Sequence, residues 1–565
     1  MSLLSLIAVG LVVAAIFGLR RLAQEGEASG GGGGSAIRRF FQYLLLYGLL
    51  VVVAIGLAGL ISRLLGGAEV ARLDQTQLAR SLTFVLIGGP LYTAVAIWSR
   101  RRMTVEPGEA RSFGWAFYVT LAALTALFNA MVDLHGVLSW LVGTERYDGA
   151  DLAGLIVWGT VWAAHWLVES RITPRRRSLV HHLVGSLAAL GTSAVGLGGL
   201  LAAALRELMG MSGEPLVAGE SALLPPAVTL VVGASVWSLY WLRTASGAER
   251  TTLWLVFVLL FGVGAGLIGA LGTATALLYQ VLVWLVGDPE TAEAARHFDA
   301  VPGLLSGAVV GVVAWWYHRS VLEDQPTGRT EVRRVYEYLM AGIGLLAAAS
   351  GLATLVVALL EVLAGTRDVV VEASAVNTVL AAVTTLAVGA PVWWVFWGRI
   401  QRADPSEERP ALTRRVYLFL LFGLGGVAAV IALITAVFTL LEDAFEGNLG
   451  AETVRSMRFA VGTLFAAGAL AAYHLSVFRA DQARMPVRFQ GPRYVLLIGA
   501  PDSEIAREVA RRTGGRVQAW SRLEETARPW SVEEVMEALA ATTAEEEVVV
   551  VAGPDGLEVI PVDRP

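Results

Sequence analysis

Apolar runs of 17 to 36 residues, separated by short polar stretches, fill the chain up to Arg479. Segments such as Ser2–Leu19 and Tyr43–Ile61 contain no charged residue. Each meets the roughly 20 residues needed to cross ~30 Å of hydrocarbon as a helix. The pattern predicts helices over 2–19, 40–65, 81–99, 113–142, 152–168, 179–208, 225–243, 251–286, 302–318, 334–364, 378–398, 414–445 and 456–477, thirteen crossings in all. The longest would reach about 45 Å or more at 1.5 Å per residue, so they must tilt or project beyond the lipid tails.

The polar interruptions are themselves periodic. A long apolar segment closes on glycine at Gly66, Gly143, Gly210, Gly287, Gly365 and Gly447, and an acidic loop and a shorter helix ending in aromatics and arginine follow each time. Trp98 and Arg100, Trp241 and Arg243, Tyr317 and Arg319, and Trp397 and Arg399 keep a spacing of two, while Trp166 with Arg171 and Tyr473 with Arg479 keep the order alone. Six tandem two-helix repeats are predicted at 38–102, 103–172, 173–246, 247–320, 321–402 and 403–484. An N-terminal transmembrane helix at 1–22 and a Gly-rich linker at 23–37 precede them. The small-residue triplets Gly88–Pro90, Gly233–Ser235 and Gly389–Pro391 mark places where neighbouring helices approach closely.

Composition agrees with a membrane chain. Hydrophobic residues make up 55% and charged ones 16%, where soluble domains carry about a quarter charged. The absence of cysteine excludes disulfides, thiolate metal sites and thiol nucleophiles. All 43 basic residues are arginine, and they are unevenly placed: 23 lie in joints after odd-numbered helices and seven after even-numbered ones. Basic joints are retained in the cytoplasm. The expectation is therefore a bacterial cytoplasmic membrane protein with its N-terminus outside, its C-terminus inside, and parallel units.

The openings "RRVYLFLLFGLGG" and "RRVYEYLMAGIGLL", the glycine-closed helix ends and the ending "WWVFWGR" resemble the bacterial membrane-repeat family called domain of unknown function 5671. The resemblance covers most of Arg38 to Arg479. It implies a multi-pass helical fold and brings no activity with it.

Tryptophan and tyrosine favour the headgroup level, with arginine snorkelling beyond. Trp98, Trp166, Trp241, Tyr317, Trp393 and Trp397 are accordingly read as an interfacial belt. The fourth helix carries Asn129, Asp133 and His135, and a charge at membrane depth costs about 2.5–3.5 kcal/mol on insertion scales and marks a functional hypothesis. A proton relay or ion site is one reading, and a hydrogen bond within the bundle near the outer interface is the other. His165, His318 and His474 read as interfacial. His181 and His182, about 100° apart on a helix, make a poor chelate.

From Val487 the periodicity changes to βαβαββ, which predicts a small α/β domain over 487–565. The loop "GAPDSE" lacks the glycines and lysine of a phosphate-binding loop, and Asp502 and Glu504 would repel phosphate. Trp520 and Trp530 are the candidate surface contacts of this domain. No catalytic, cofactor or metal set is predicted. The expected function is a non-enzymatic membrane scaffold that recruits a cytoplasmic protein partner through residues 487–565, with the lipid bilayer and no nucleic acid as its other surroundings. A transporter or channel with a polar site near Asp133 is the alternative.

Overall fold

The computed structural model describes residues 33–66, 75–106, 108–172, 175–211, 221–322, 330–364, 374–483, 492–499, 503–521, 530–540, 542, 547–553 and 556–562. The predicted first crossing, 2–19, lies outside these residues, as does Gly365. Among the described residues twelve helices are long and apolar enough to cross a membrane. They are α1 (Gly33–Leu65), α2 (Gln75–Val105), α3 (Phe113–Leu141), α4 (Gly149–Ile172), α5 (Arg175–Leu208) and α6 (Leu224–Ala245). The series continues with α7 (Thr252–Val286), α8 (Val301–Leu322), α9 (Glu331–Ala364), α10 (Ala375–Gln401), α11 (Leu412–Glu446) and α12 (Ala451–Ala483). Helix α1 starts at Gly33, so residues 33–37 are helix where a linker was expected.

Three of the predicted closing glycines end their helices in the left-handed conformation: Gly143 (φ 80°), Gly210 (φ 65°) and Gly447 (φ 73°). The next N–H reaches back five residues each time, Thr144 to Ser139, Met211 to Arg206 and Asn448 to Asp443, at 2.8–2.9 Å. These are Schellman ends, which glycine adopts without Cβ strain. Gly287 instead caps α7 in an extended conformation, φ −100°.

The chain forms two compact units, residues 1–402 with 428–467, and residues 403–427 with 468–565. In the first, α3 packs along α4, α5 along α6, α7 along α8 and α9 along α10, and each hairpin also touches the next. Glycine sets the closeness of three of these pairs. A Cβ on Gly196 or Gly233 would overlap backbone of the facing helix in α5/α6, as would one on Gly266 or Gly311 in α7/α8 and on Gly344 or Gly389 in α9/α10. Lipid offers no hydrophobic drive for association, so this backbone proximity supplies much of the packing. At one end of α1, Arg39 holds Glu109 at 2.7 Å and Glu106 at 3.2 Å, and Arg102 holds Glu106 at 2.6 Å.

In the second unit, the buried Arg414 of α11 grips Asp481 of α12 through two hydrogen bonds, 2.6 and 3.2 Å. This unit also contains the α/β domain, in the order β1 (Tyr494–Gly499), α13 (Ser503–Thr513), β2 (Arg516–Ser521), α14 (Val532–Leu539), β3 (Glu547–Gly553) and β4 (Gly556–Val562). The sheet order is β2-β1-β3-β4, with β1 parallel to β2 and β3, and β4 antiparallel to β3. Ser531 and Glu534 close a capping box at the start of α14. Val495, Leu497, Val548 and Val550 form the core with Val535 and Leu539. Trp530 joins that core, 7% exposed, so of the two predicted surface tryptophans only Trp520, 57% exposed, is one.

Candidate functional site

The hairpin α3/α4 departs from its neighbours. Its facing glycines, Gly136 and Gly154, meet carboxylates and not backbone: a Cβ on Gly154 would overlap Asp133, and one on Gly136 would overlap Asp151. The sequence doubles the motif that does this, D-L-H-G at 133–136 and D-L-A-G at 151–154. In each, the aspartate precedes the glycine by three residues, so on two antiparallel helices each side chain drops into the gap left by the other's glycine. Two half-buried carboxylates thus key the hairpin together near its connecting loop.

Asp133 Oδ2 is buried and has no hydrogen-bond partner. Asp151 stands in the first turn of α4, where the helix dipole favours a negative charge. Elsewhere near helix ends carboxylates take arginine partners: Asp299 with Arg206 at 2.6 Å, Glu361 with Arg458 at 3.0 Å, and Asp481 with Arg414.

The three predicted polar residues do not form one cluster. Asn129 donates to its own helix at Thr125 O, 2.7 Å. His135 contacts Thr229 Oγ1 of α6 at 3.1 Å. Asp133 turns to α4, and Asp151 is its true companion, a residue that sequence reasoning missed although the doubled motif was there to find. Toward the arginine-rich end of α3, Thr125 Oγ1 meets Tyr47 Oη of α1 at 2.9 Å. One turn along α1, the buried Tyr43 hydroxyl lies against the carboxylate of the wholly buried Glu109. Thr125, Asn129 and Asp133 are spaced by four residues, about 6 Å of rise per step, along one face of α3.

A second polar cluster lies at that same end. His165 Nδ1 donates to Val161 O at 2.8 Å, which leaves Nε2 to accept from Tyr118 Oη at 2.9 Å. One turn later Glu169 Oε2 lies 2.5 Å from His181 Nδ1, and His181 Nε2 lies 2.8 Å from Tyr240 Oη, which accepts Trp162 Nε1–H at 2.7 Å. Indole is a donor only, and the chain is satisfied with Trp162 donating to Tyr240, the Tyr240 hydroxyl to His181 Nε2, and His181 Nδ1 to Glu169. Glu169, His181 and Tyr240 are all buried.

Tyr240 belongs to the π-helical end of α6, Ser238–Ala245, which buries Tyr240 and Trp241 side by side. Gly185 of α5 makes room for its ring. His182 stacks on His181, with centroids 5.1 Å apart and planes at 27°, and Trp166 meets both edge-on. The adjacent histidines therefore share one pocket, contrary to the 100° expectation.

His165, His318 and His474 are buried in protein, each with Nδ1 on the carbonyl four residues back, Val161, Ala314 and Leu470. Of the predicted aromatic belt, Trp98 is exposed, Trp241 and Trp397 are buried in protein, and Trp166, Tyr317 and Trp393 are half-buried. Trp394, 71% exposed, and Trp316 present their rings outward instead.

A family model described as a domain of unknown function, DUF5671, matches residues 39–146, 180–317 and 334–469, more than half of the chain. The chain belongs to the DUF5671 family. No curated protein and no solved structure matches it. The second and third DUF5671 segments each run from one long helix into the fourth, α5 to α8 and α9 to α12. The first stops before α4. That unmatched helix carries Asp151, His165 and Glu169, whereas Glu109, Asp133, His181 and His182 lie within matched segments.

Proposed function

We propose that this DUF5671 protein moves protons, or a solute coupled to them, across a bacterial cytoplasmic membrane, with α1, α3 and α4 as the pathway. The interlocked pair Asp133 and Asp151 carries the reading. A carboxylate inside a bundle is costly and serves transport or relay chemistry, and this pair takes no arginine partner among the described residues, unlike Asp299, Glu361 and Asp481. The unpartnered Oδ2 of Asp133 supports it, because a buried polar atom without a protein partner calls for water or a passing ligand. The arginine distribution supports an outer location for the Asp133 end and a cytoplasmic one for Glu109 and Glu169, the glycine-closed helix ends support two-helix repeats, and the charge-free segment Ser2–Leu19 supports a thirteenth crossing.

The experiment is proton flux into proteoliposomes holding a pH-sensitive dye. Wild type equilibrates an imposed pH gradient faster than empty vesicles, and Asp133→Asn, which keeps the shape and removes the titration, slows it by roughly 10-fold or more. Wild-type flux equal to that of empty vesicles, or an unaffected Asp133→Asn, removes the proposal. A scaffold that recruits a cytoplasmic partner through residues 487–565 is the second reading, favoured by the appended α/β domain and its exposed Trp520.

A further inference from the structure

We infer that Glu169, His181 and His182 form a binding site for a divalent first-row transition ion, with zinc as the test ion. Their ligand atoms all lie within 4.8 Å of one another. Tetrahedral ligands about 2.1 Å from an ion stand about 3.4 Å apart, so three of four positions are assembled by opening the 2.5 Å contact between His181 Nδ1 and Glu169 and drawing His182 in. The ligand set is imidazole and carboxylate with no thiolate, which suits zinc and its borderline neighbours and gives no soft site for Cu(I). His181 and Glu169 are already held on two different helices, and His182 is half-buried.

The proton accounting closes. The ion takes the place of the hydrogen between His181 Nδ1 and Glu169. That proton moves to Nε2, which then donates to Tyr240 Oη, and the tyrosine hydroxyl, still accepting from Trp162, releases its own hydrogen bond to the imidazole. No net proton leaves the site. Tyr240 thereby becomes the outer partner that fixes the tautomer of a liganding histidine, a role such groups fill in metal sites generally. The buried Glu169 carboxylate, which takes no arginine among the described residues, offsets one of the ion's two charges.

The test uses the full chain in mild detergent, stripped with a chelator, loaded with Zn²⁺ or Co²⁺, passed through gel filtration and analysed for metal. Wild type retains about one ion per chain, and the Co²⁺ form shows the visible bands of a tetrahedral N/O site. Glu169→Gln and His182→Ala bind at least ~10-fold more weakly, and Tyr240→Phe weakens binding by roughly 10-fold through the outer shell. His297→Ala, a histidine bonded to Gln280 O elsewhere, binds as wild type does. Elution volume and melting temperature of each variant separate loss of metal from loss of fold, and His182→Gln replaces any variant that aggregates. Wild type without metal above buffer level, or folded Glu169→Gln and His182→Ala proteins that retain it fully, overturns the assignment. Neither result depends on proton flux.

Discussion

Gly154 lacks a side chain at the one place where Asp133 needs the space. Gly154→Ala drives a methyl group into that carboxylate, and overpacking of this kind costs about 1–3 kcal/mol. The expected result is a lower melting temperature in detergent, relieved in the double variant Gly154→Ala with Asp133→Ala, and it is read by thermal unfolding of the four proteins of that cycle. Glu106 makes a separate prediction outside the membrane-spanning segments. Hydrogen bonds from Arg39, then from Arg102, hold its carboxylate below the usual range. A group whose folded value is depressed contributes stability that is complete above its ordinary value and lost as pH falls through the folded one. Acidification below the usual carboxylate range therefore loosens this end of α1 and α2, and Glu106→Gln, which never had the charge, shows a flatter melting temperature against pH.

Among whole helices, the predicted boundaries lie within about seven residues of those observed, because a lipid-crossing helix announces itself through its apolar length while its polar ends extend beyond the apolar run. The site was less legible. Asp133 was visible as a lone carboxylate in an apolar run, while its partner Asp151 depends on the register of two antiparallel helices, which no periodicity within either helix specifies. The network around His181 was missed for a similar reason: adjacent helical residues diverge by 100°, yet Tyr240, Glu169 and Trp166 from two other helices fold the pair into one pocket. The pairing of α11 and α12 is open to direct test. Asp481→Ala leaves the Arg414 guanidinium buried without its carboxylate, a loss that typically costs about 3–5 kcal/mol. Unfolding of the unit containing residues 468–565 should move to lower denaturant, which circular dichroism and protease resistance report together.

For the molecule as a whole, the arginine asymmetry makes a topological prediction that the cysteine-free chain allows to be tested cleanly. A single cysteine at Glu145, between α3 and α4, reacts with a membrane-impermeant maleimide in intact cells. One at Glu249, between α6 and α7, reacts only after permeabilisation. Labelling of both from outside would falsify the parallel arrangement of the hairpins and with it the direction assigned to the Asp133 pathway.

The π-helical end of α6 reaches beyond the one pocket it serves. A π turn is an ordinary helix that has accommodated one surplus residue, and here the surplus lets neighbours Tyr240 and Trp241 dock on different partners, His181 and Tyr317. Excision of Leu239 would return the strand of carbonyls to its usual cadence while the residues beyond the bulge keep their orientation. The two adjacent rings would lose the extra spread that lets them reach separate partners, so a shortening of the gene by a single codon would disturb the polar centre without touching any residue that forms it.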